Sequence, residues 1–271
     1  MNISSFLFNR VNQKFIYFLV HTPLYPHWLI HRKMKQGNNL IVTNLYGNVL
    51  EVGAGDTSKK NVLCKQQSTI KKYTVTDYSS WDREFSKIGK QISRFGKIAE
   101  ILFGFKKRGS LDVVCDATNL PFKNNTFDFH LSFEVLEHIS DPFLFIKEAA
   151  RVVKKGGHII LTVPVLFRIH GIEPRHLSDY FRYMPGFFHE IAKRNELKIN
   201  LLYSNTGIGT TVAEMINQWF ILQIREGFFI KKMFLFFLAI FIFPITNIGG
   251  FIIDIHPDNR FCTRYHIILE K

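Results

Sequence analysis

Asn48-Val-Leu-Glu-Val-Gly-Ala-Gly-Asp56 is the stretch that decides the fold of this chain. Val49, Leu50 and Val52 form a short apolar run of strand type, and Gly53 and Gly55 let the backbone turn with no Cβ in the way. A strand, a Gly-x-Gly turn and a helix open a nucleotide-binding α/β unit, in which the helix N-terminus beyond the turn favours negative charge. Gly-x-Gly alone is more often a plain turn, and two details narrow it. Ser58 stands where the dinucleotide pattern has its third glycine, and the Gly-x-x-x-x-Gly-Lys-Ser/Thr phosphate loop is missing. An acid, Glu51, stands two residues before the first glycine.

That arrangement resembles motif I of the class I S-adenosylmethionine-dependent methyltransferases, and downstream residues extend the resemblance. Lys72-Tyr-Thr-Val-Thr-Asp77 reads as a second strand ending on an acid, with Tyr78 beside it, where a carboxylate can accept both hydroxyl protons of a ribose. The alternative for Asp77 is a cap for the turn into Ser79-Ser80. Leu111-Asp-Val-Val-Cys-Asp116 reads as a third strand. At its end Asp116-Ala117 matches the family's adenine site, an acid for the exocyclic amine and the next amide for a ring nitrogen. Leu120-Pro-Phe continues the match. The exit of a fourth strand, Phe133-Glu-Val-Leu-Glu-His138, resembles the segment beneath the methionine half of the cofactor. The resemblance implies S-adenosylmethionine, held by Glu51, Gly53, Ala54, Gly55, Asp77, Tyr78, Asp116, Ala117, Phe133 and Glu134, and it implies no metal.

The rest of the pattern agrees with an α/β chain. A short helix is expected over 61–67 and a helical pattern over 81–105. Asp141-Pro142 starts another helix, with the aspartate as N-cap and Phe143, Ile146, Ala150 and Val153 on one face; Gly156-Gly157 ends it. His158 to Pro164 and Lys198 to Tyr203 read as fifth and sixth strands, and Arg260 to Leu269 as a last antiparallel one. Short connections between such units imply a Rossmann-like, doubly wound, mostly parallel sheet, to which the resemblance gives seven strands.

Residues 165–197 hold Arg168, His170, Glu173, Arg175, His176, Asp179, Tyr180 and Arg182. Following a strand's carboxyl end, this loop belongs over the cofactor crevice, where an acceptor should bind. Asp179-Tyr-Phe-Arg-Tyr-Met-Pro-Gly resembles the Asp-Tyr-x-Arg-x-Thr-Pro segment of the type 11 branch, frequent in methyltransferases encoded with bacterial surface-polysaccharide genes. Met184 replaces the usual threonine. Methyl transfer to a hydroxyl needs a base, and His170 and His176 are the candidates, with Asp179 or Glu173 to orient them. The acceptor the resemblance implies is a saccharide or a lipid-linked saccharide. A lipophilic molecule such as a quinone precursor and a non-catalytic scaffold that keeps the fold are the rivals.

Two segments fall outside the resemblance. Residues 1–40 form an amphipathic helical segment, with Leu7, Val11, Phe15, Phe18 and Leu19 beside Arg10 and Lys14, followed by a methyltransferase domain over 41–271. Within that domain, residues 207–257 are an apolar insertion. Met233 to Ile253 contains no charge, a length that permits a transmembrane helix, but Pro244, Asn247, Gly249 and Gly250 are expected to break it. The insertion is expected in the membrane interface, with Lys231, Lys232 and Arg225 at the headgroups; a buried or dimer-forming helix pair is the rival.

At 271 residues, one α/β domain with accessory segments is expected. Thirty-five Lys and Arg against 22 Asp and Glu give +13, which attracts polyanions or an anionic leaflet. Nucleic acid is disfavoured because no Asn/Asp-Pro-Pro-Tyr/Phe motif follows the fourth strand. Cys64, Cys115 and Cys262 show no metal or disulfide spacing and point to reduced thiols in a cytoplasmic setting, and the apolar insertion adds a peripheral location on the inner membrane face as an expectation. Nothing in the sequence fixes the oligomeric state.

Overall fold

The computed structural model describes residues 18–19, 21–54, 58–78, 111–169, 179–226 and 228–271. Most of the N-terminal amphipathic pattern, the helical pattern over 81–105, Gly55, His170 and His176 lie outside the described residues. The chain forms two compact units, one of residues 37–84, 107–204 and 263–271, the other of residues 1–36, 85–106 and 205–262.

The first unit is built on seven strands: β1 (Gly47–Val52), β2 (Ile70–Asp77), β3 (Val113–Val114), β4 (Phe127–Phe133), β5 (Val153–Pro164), β6 (Lys198–Tyr203) and β7 (Arg264–Glu270). Their order is β3-β2-β1-β4-β5-β7-β6. β1 to β5 pair in parallel, and β7 runs antiparallel to both β5 and β6. Val49, Leu50, Leu131, Ile159 and Leu161 are fully buried, as expected where helices cover both faces of a parallel sheet. The order reverses between β1 and β4, which places the open crevice at their carboxyl ends.

The described helices of this unit are α2 (Ser58–Gln66), α3 (Pro142–Val152) and α4 (Pro185–Arg194), besides the end of α1 (Trp28–Ile41). Asp141 caps α3 as expected, accepting from Leu144 N at 2.9 Å. Pro185 opens α4 with no side-chain cap from Met184.

Four expectations are corrected. The third strand shrinks to two residues, because the Asp112 carboxylate, not a backbone carbonyl, takes the Val75 amide at 2.8 Å. Helix α3 ends at Val152, not at the glycines: Val153 turns extended and pairs with Phe127, leaving Gly156 and Gly157 inside β5. Gly156 has φ of +74°, and a Cβ on Gly157 would stand 2.7 Å from the Asp128 carbonyl oxygen, so the pair bends a strand. Helix α3 buries Phe145, Ile146, Ala149 and Val152, while Phe143 is exposed under the Arg194 guanidinium at 4.8 Å. The last strand starts at Arg264, because Asp258 caps a 3-10 turn over Asn259–Phe261.

The second unit contains α5 (Ile208–Glu226), α6 (Phe229–Ile253) and the first turns of α1. Here a fifth expectation fails, since α6 is one continuous helix of 25 residues with Pro244 inside it. Two of the residues read as breakers, Asn247 and Gly250, are contacts. Asn247 donates to the Pro23 and Tyr25 carbonyls at 2.8 and 2.9 Å. A Cβ on Gly250 would stand 2.5 Å from the Gly209 carbonyl oxygen, so the two glycines let α5 and α6 touch through backbone.

Gly47 starts β1 with φ of +63°, and a Cβ there would meet Asp128 Oδ2 at 2.2 Å. That carboxylate also holds Asn48 N at 2.7 Å and Lys154 Nζ at 2.8 Å. Gly47→Ala is expected to lower stability by about 1–3 kcal/mol, read as a lower urea midpoint with an unchanged slope.

Candidate active site

The carboxyl ends of β1, β2 and β4 meet in register, Val52 standing opposite Thr76 on one side and Ser132 on the other. Beyond β1 the chain turns at Gly53, where φ is +69° and a Cβ would fall 2.3 Å from Val135 Cγ2. Only glycine lets the turn close on the segment leaving β4. Ala54, buried, ties the turn to β2 through Ala54 N to Thr76 O at 3.1 Å. Gly55, the next predicted residue, lies outside the described residues.

Glu51 points into the unit, not the crevice mouth. It is buried, accepting from the Tyr73 hydroxyl at 2.9 Å and standing 3.4 Å from Lys59 Nζ. Burial first, then the Glu51 charge, pushes the Tyr73 hydroxyl far above the usual phenol range. The Lys59 ammonium also lies 4.3 Å from the centre of the Phe133 ring. Lys59 therefore joins Glu51 and Phe133, and nothing in the motif points to it except its place in the first turn of α2.

Asp77 and Asp116 stand where strand tips open outward. Asp77, half-buried, ends β2 and accepts from the amide of the exposed Tyr78 at 2.7 Å. Cys115 N donates to Asp77 O at 3.1 Å, so the backbone leading to Asp116 is tied to the tip of β2. Asp116 is exposed, with Oδ1 accepting from Thr118 N and Oγ1 at 2.8 and 2.7 Å; Ala117 is half-buried beside it.

At the exit of β4, Glu134 takes φ of +57°, a conformation that a side chain rarely adopts. Its carboxylate stands 3.5 Å from the buried Arg264 guanidinium. Glu137 is fully buried nearby, and burial, reinforced by the negative charge of Glu134, raises its carboxyl to about 9. His138 Nε2 stands 3.8 Å from Glu137.

The acceptor-side segment closes on the same exit. Tyr180 N donates to Glu137 O at 2.8 Å, and the Tyr183 hydroxyl donates to Leu136 O at 2.9 Å. Asp179 has a buried side chain that receives both Arg182 terminal nitrogens, the Nη2 contact at 2.7 Å. Asp179 is thus an ion-pair partner of Arg182. Predicted residues of the cofactor and acceptor groups, Glu134 and Asp179, therefore lie on two segments that the fold ties together.

These residues suit a cationic, hydroxyl-bearing nucleoside. Carboxylates at adjacent strand tips accept from hydroxyls and amines and offset positive charge, while the glycine turn leaves its backbone uncovered. Among the described residues no cluster of three or more His, Cys, Asp or Glu could hold a metal ion.

Two families of methyltransferase domain match the chain, type 11 over residues 50–161 and type 31 over residues 110–218. An uncharacterized protein of Methanocaldococcus jannaschii is 44% identical over 78 residues, 28% of this chain and 35% of the relative. Demethylmenaquinone methyltransferase of Staphylococcus haemolyticus is 34% identical over 88 residues, 30% of this chain and 34% of the relative. The aligned stretch thus spans about a third of each of these curated relatives. The crystal structure of an S-adenosylmethionine-dependent methyltransferase from Mesorhizobium loti has a TM-score of 0.49 at 11% identity, covering 91% of this chain and 98% of that one. The seven-stranded sheet with its antiparallel last strand and strand-tip acids is a Rossmann-like methyltransferase domain. Residues 50–218 carry a class I S-adenosylmethionine-dependent methyltransferase domain, matched to type 11 over residues 50–161, and S-adenosylmethionine is the cofactor of that domain.

Glu137 yields a pH prediction. Its folded pKa of about 9 lies above the ordinary carboxylate range, so from roughly pH 4.5 to 9 the folded protein holds the proton better than the unfolded chain. Stability contributed by the neutral carboxyl is full below pH 4.5 and is lost as pH rises. Denaturant titrations of Glu137→Gln are expected to show a flatter fall in stability between pH 6 and 9 than the parent shows.

Proposed function

We propose that the protein transfers a methyl group from S-adenosylmethionine to a hydroxyl of a saccharide, free or lipid-linked, at the cytoplasmic face of a membrane. The observation that carries this reading is the tie between segment 179–183, which resembles the polysaccharide-associated branch, and the β4 exit at Leu136 and Glu137.

In this reading Asp77 accepts from the ribose hydroxyls, and Asp116 with the Ala117 amide reads the adenine edge. Gly53, Ala54 and Gly55 give backbone to the nucleoside, and Phe133 and Glu134 lie beneath its methionine half. The cofactor supplies an electrophilic sulfonium methyl. The chain's own task is to orient the acceptor oxygen in line and remove its proton. His170 and His176 are the proposed bases. Asp179 holds Arg182, whose Nη2 donates to the Arg168 carbonyl at 3.1 Å, so the described residues on either side of the segment that contains them are tied together.

A lipophilic quinone precursor is the second reading, favoured by the match to demethylmenaquinone methyltransferase and by apolar surface on α6. A scaffold that binds the cofactor without turnover is the third.

Asp77→Ala is expected to weaken S-adenosylmethionine binding by roughly tenfold to a hundredfold in calorimetry, the loss of one or two charge-assisted hydrogen bonds. His170→Ala and His176→Ala should leave binding intact, and one of them should abolish turnover. Labelled methyl transfer into membrane and glycan extracts, followed by mass spectrometry for a gain of one CH₂, identifies the acceptor. A labelled quinone sinks the saccharide reading, and binding without any labelled product favours the scaffold.

A further inference from the structure

Helices α5 and α6 are built inside out. Among the described side chains from Ile208 to Ile253, every exposed one is apolar: a stripe of Ile208, Val212, Met215, Ile216 and Trp219 on α5, and on α6 most positions from Phe229 to Ile253, Phe234, Phe237, Phe241 and Ile245 among them. Several polar side chains are buried instead. Thr210, Glu214, Asn217 and Asn247 are buried. Asn217 donates to the Pro26 carbonyl at 2.6 Å, Thr246 donates to Asn217 Oδ1 at 2.6 Å, and the Asp254 carboxylate receives the Gly207, Gly209 and Thr210 amides at 2.8–2.9 Å.

A water-soluble helix pair has the opposite arrangement. The exposed apolar surface here is on the order of 2,000 Å², against roughly 300–600 Å² for the largest patch of an ordinary monomer. A partner in a standard complex would cover about 800 Å². The surface also extends around roughly half the circumference of α6 as well as the α5 stripe, more than one flat contact covers. Lys231 and Lys232 stand at its start, and the whole chain carries +13. The stretch leaves the sheet after β6 and rejoins it at β7, so both its ends stay on one side of any bilayer.

We propose that the α5–α6 hairpin lies in one leaflet of an anionic lipid bilayer, its exposed face in the hydrocarbon, Lys231 and Lys232 at the headgroups, and its buried asparagines holding the pair closed. This adds an occupant and a set of contact residues to the membrane location proposed above, and it does not depend on methyl transfer.

Flotation of the purified full chain with phosphatidylcholine–phosphatidylglycerol vesicles tests it. The chain should float with the vesicles and stay with them at about 1 M salt, where charges are screened within roughly 3 Å. The double variant Phe237→Asp/Phe241→Asp, changed only at exposed positions, should partition about tenfold less or worse, with unchanged circular dichroism and melting. Release by salt would mean that basic charge alone holds the chain, and failure to float would remove the bilayer. A dimer in lipid-free buffer that the variant dissociates would make this face an interface between copies. Each of these outcomes overturns the proposal, and none bears on whether the sheet unit binds S-adenosylmethionine.

Discussion

How sharply the backbone can turn at residue 53 governs the whole carboxyl edge of the sheet. With a Cβ there, the turn would meet Val135 at 2.3 Å, and either the turn or the β4 exit would have to move. The exit is already committed. Glu134 sits in a left-handed conformation while its amide pairs with Thr162 O at 3.0 Å, and the carbonyls of Leu136 and Glu137 hold Tyr183 and Tyr180. A glycine at one strand tip thus sets how near the crevice floor lies to the segment that carries the acceptor-side residues.

Much of this was legible from residue order. Strands β1, β2 and β6 begin or end where apolar runs meet an acid, a glycine or a polar turn, and Asp141-Pro142 announces α3 because a carboxylate and a proline each favour a helix start for a separate local reason. Glycine was the weak signal. Gly156-Gly157 reads as a helix stop, yet the pairing of Val153 with Phe127 ends α3 earlier, and Gly249-Gly250 reads as a break although Gly250 serves close helix contact. In both places the deciding atom belongs to a distant residue, Phe127 or Gly209, which no window of neighbours contains. The same holds at the site. Glu51 was recognisable from its spacing to Gly53, whereas Lys59, Arg264 and the Arg182 clamp on Asp179 are contacts of the folded chain.

The two units solve the burial of polar groups in opposite ways. In the sheet unit, burial lowers both His130 and His266 to about 4, and among the described residues their ring nitrogens have no hydrogen-bond partner. Their cost is borne by the packing around them, such as the edge of His130 against the Phe145 ring at 5.6 Å. In α5 and α6 the buried Asn217 and Asn247 amides have partners, and among their described residues every exposed side chain is apolar. A fold that spends its hydrogen-bonding side chains inward gains nothing from water on its surface.

That contrast bears on how charge is handled at the crevice. Glu134, Glu137 and Asp179 would repel one another if all three were ionised, and two cations, Arg264 and Arg182, stand against Glu134 and Asp179. Glu137 is the group left to take a proton, and that is the direction in which burial and its acidic neighbours drive it. The exit of β4 therefore carries less negative charge than its three carboxyls suggest. In the proposed reading, where Asp77 and Asp116 would receive the nucleoside's hydroxyls and amine, the β4 exit would offer neutral or paired groups that can stay fixed as positive charge is lost from the sulfonium.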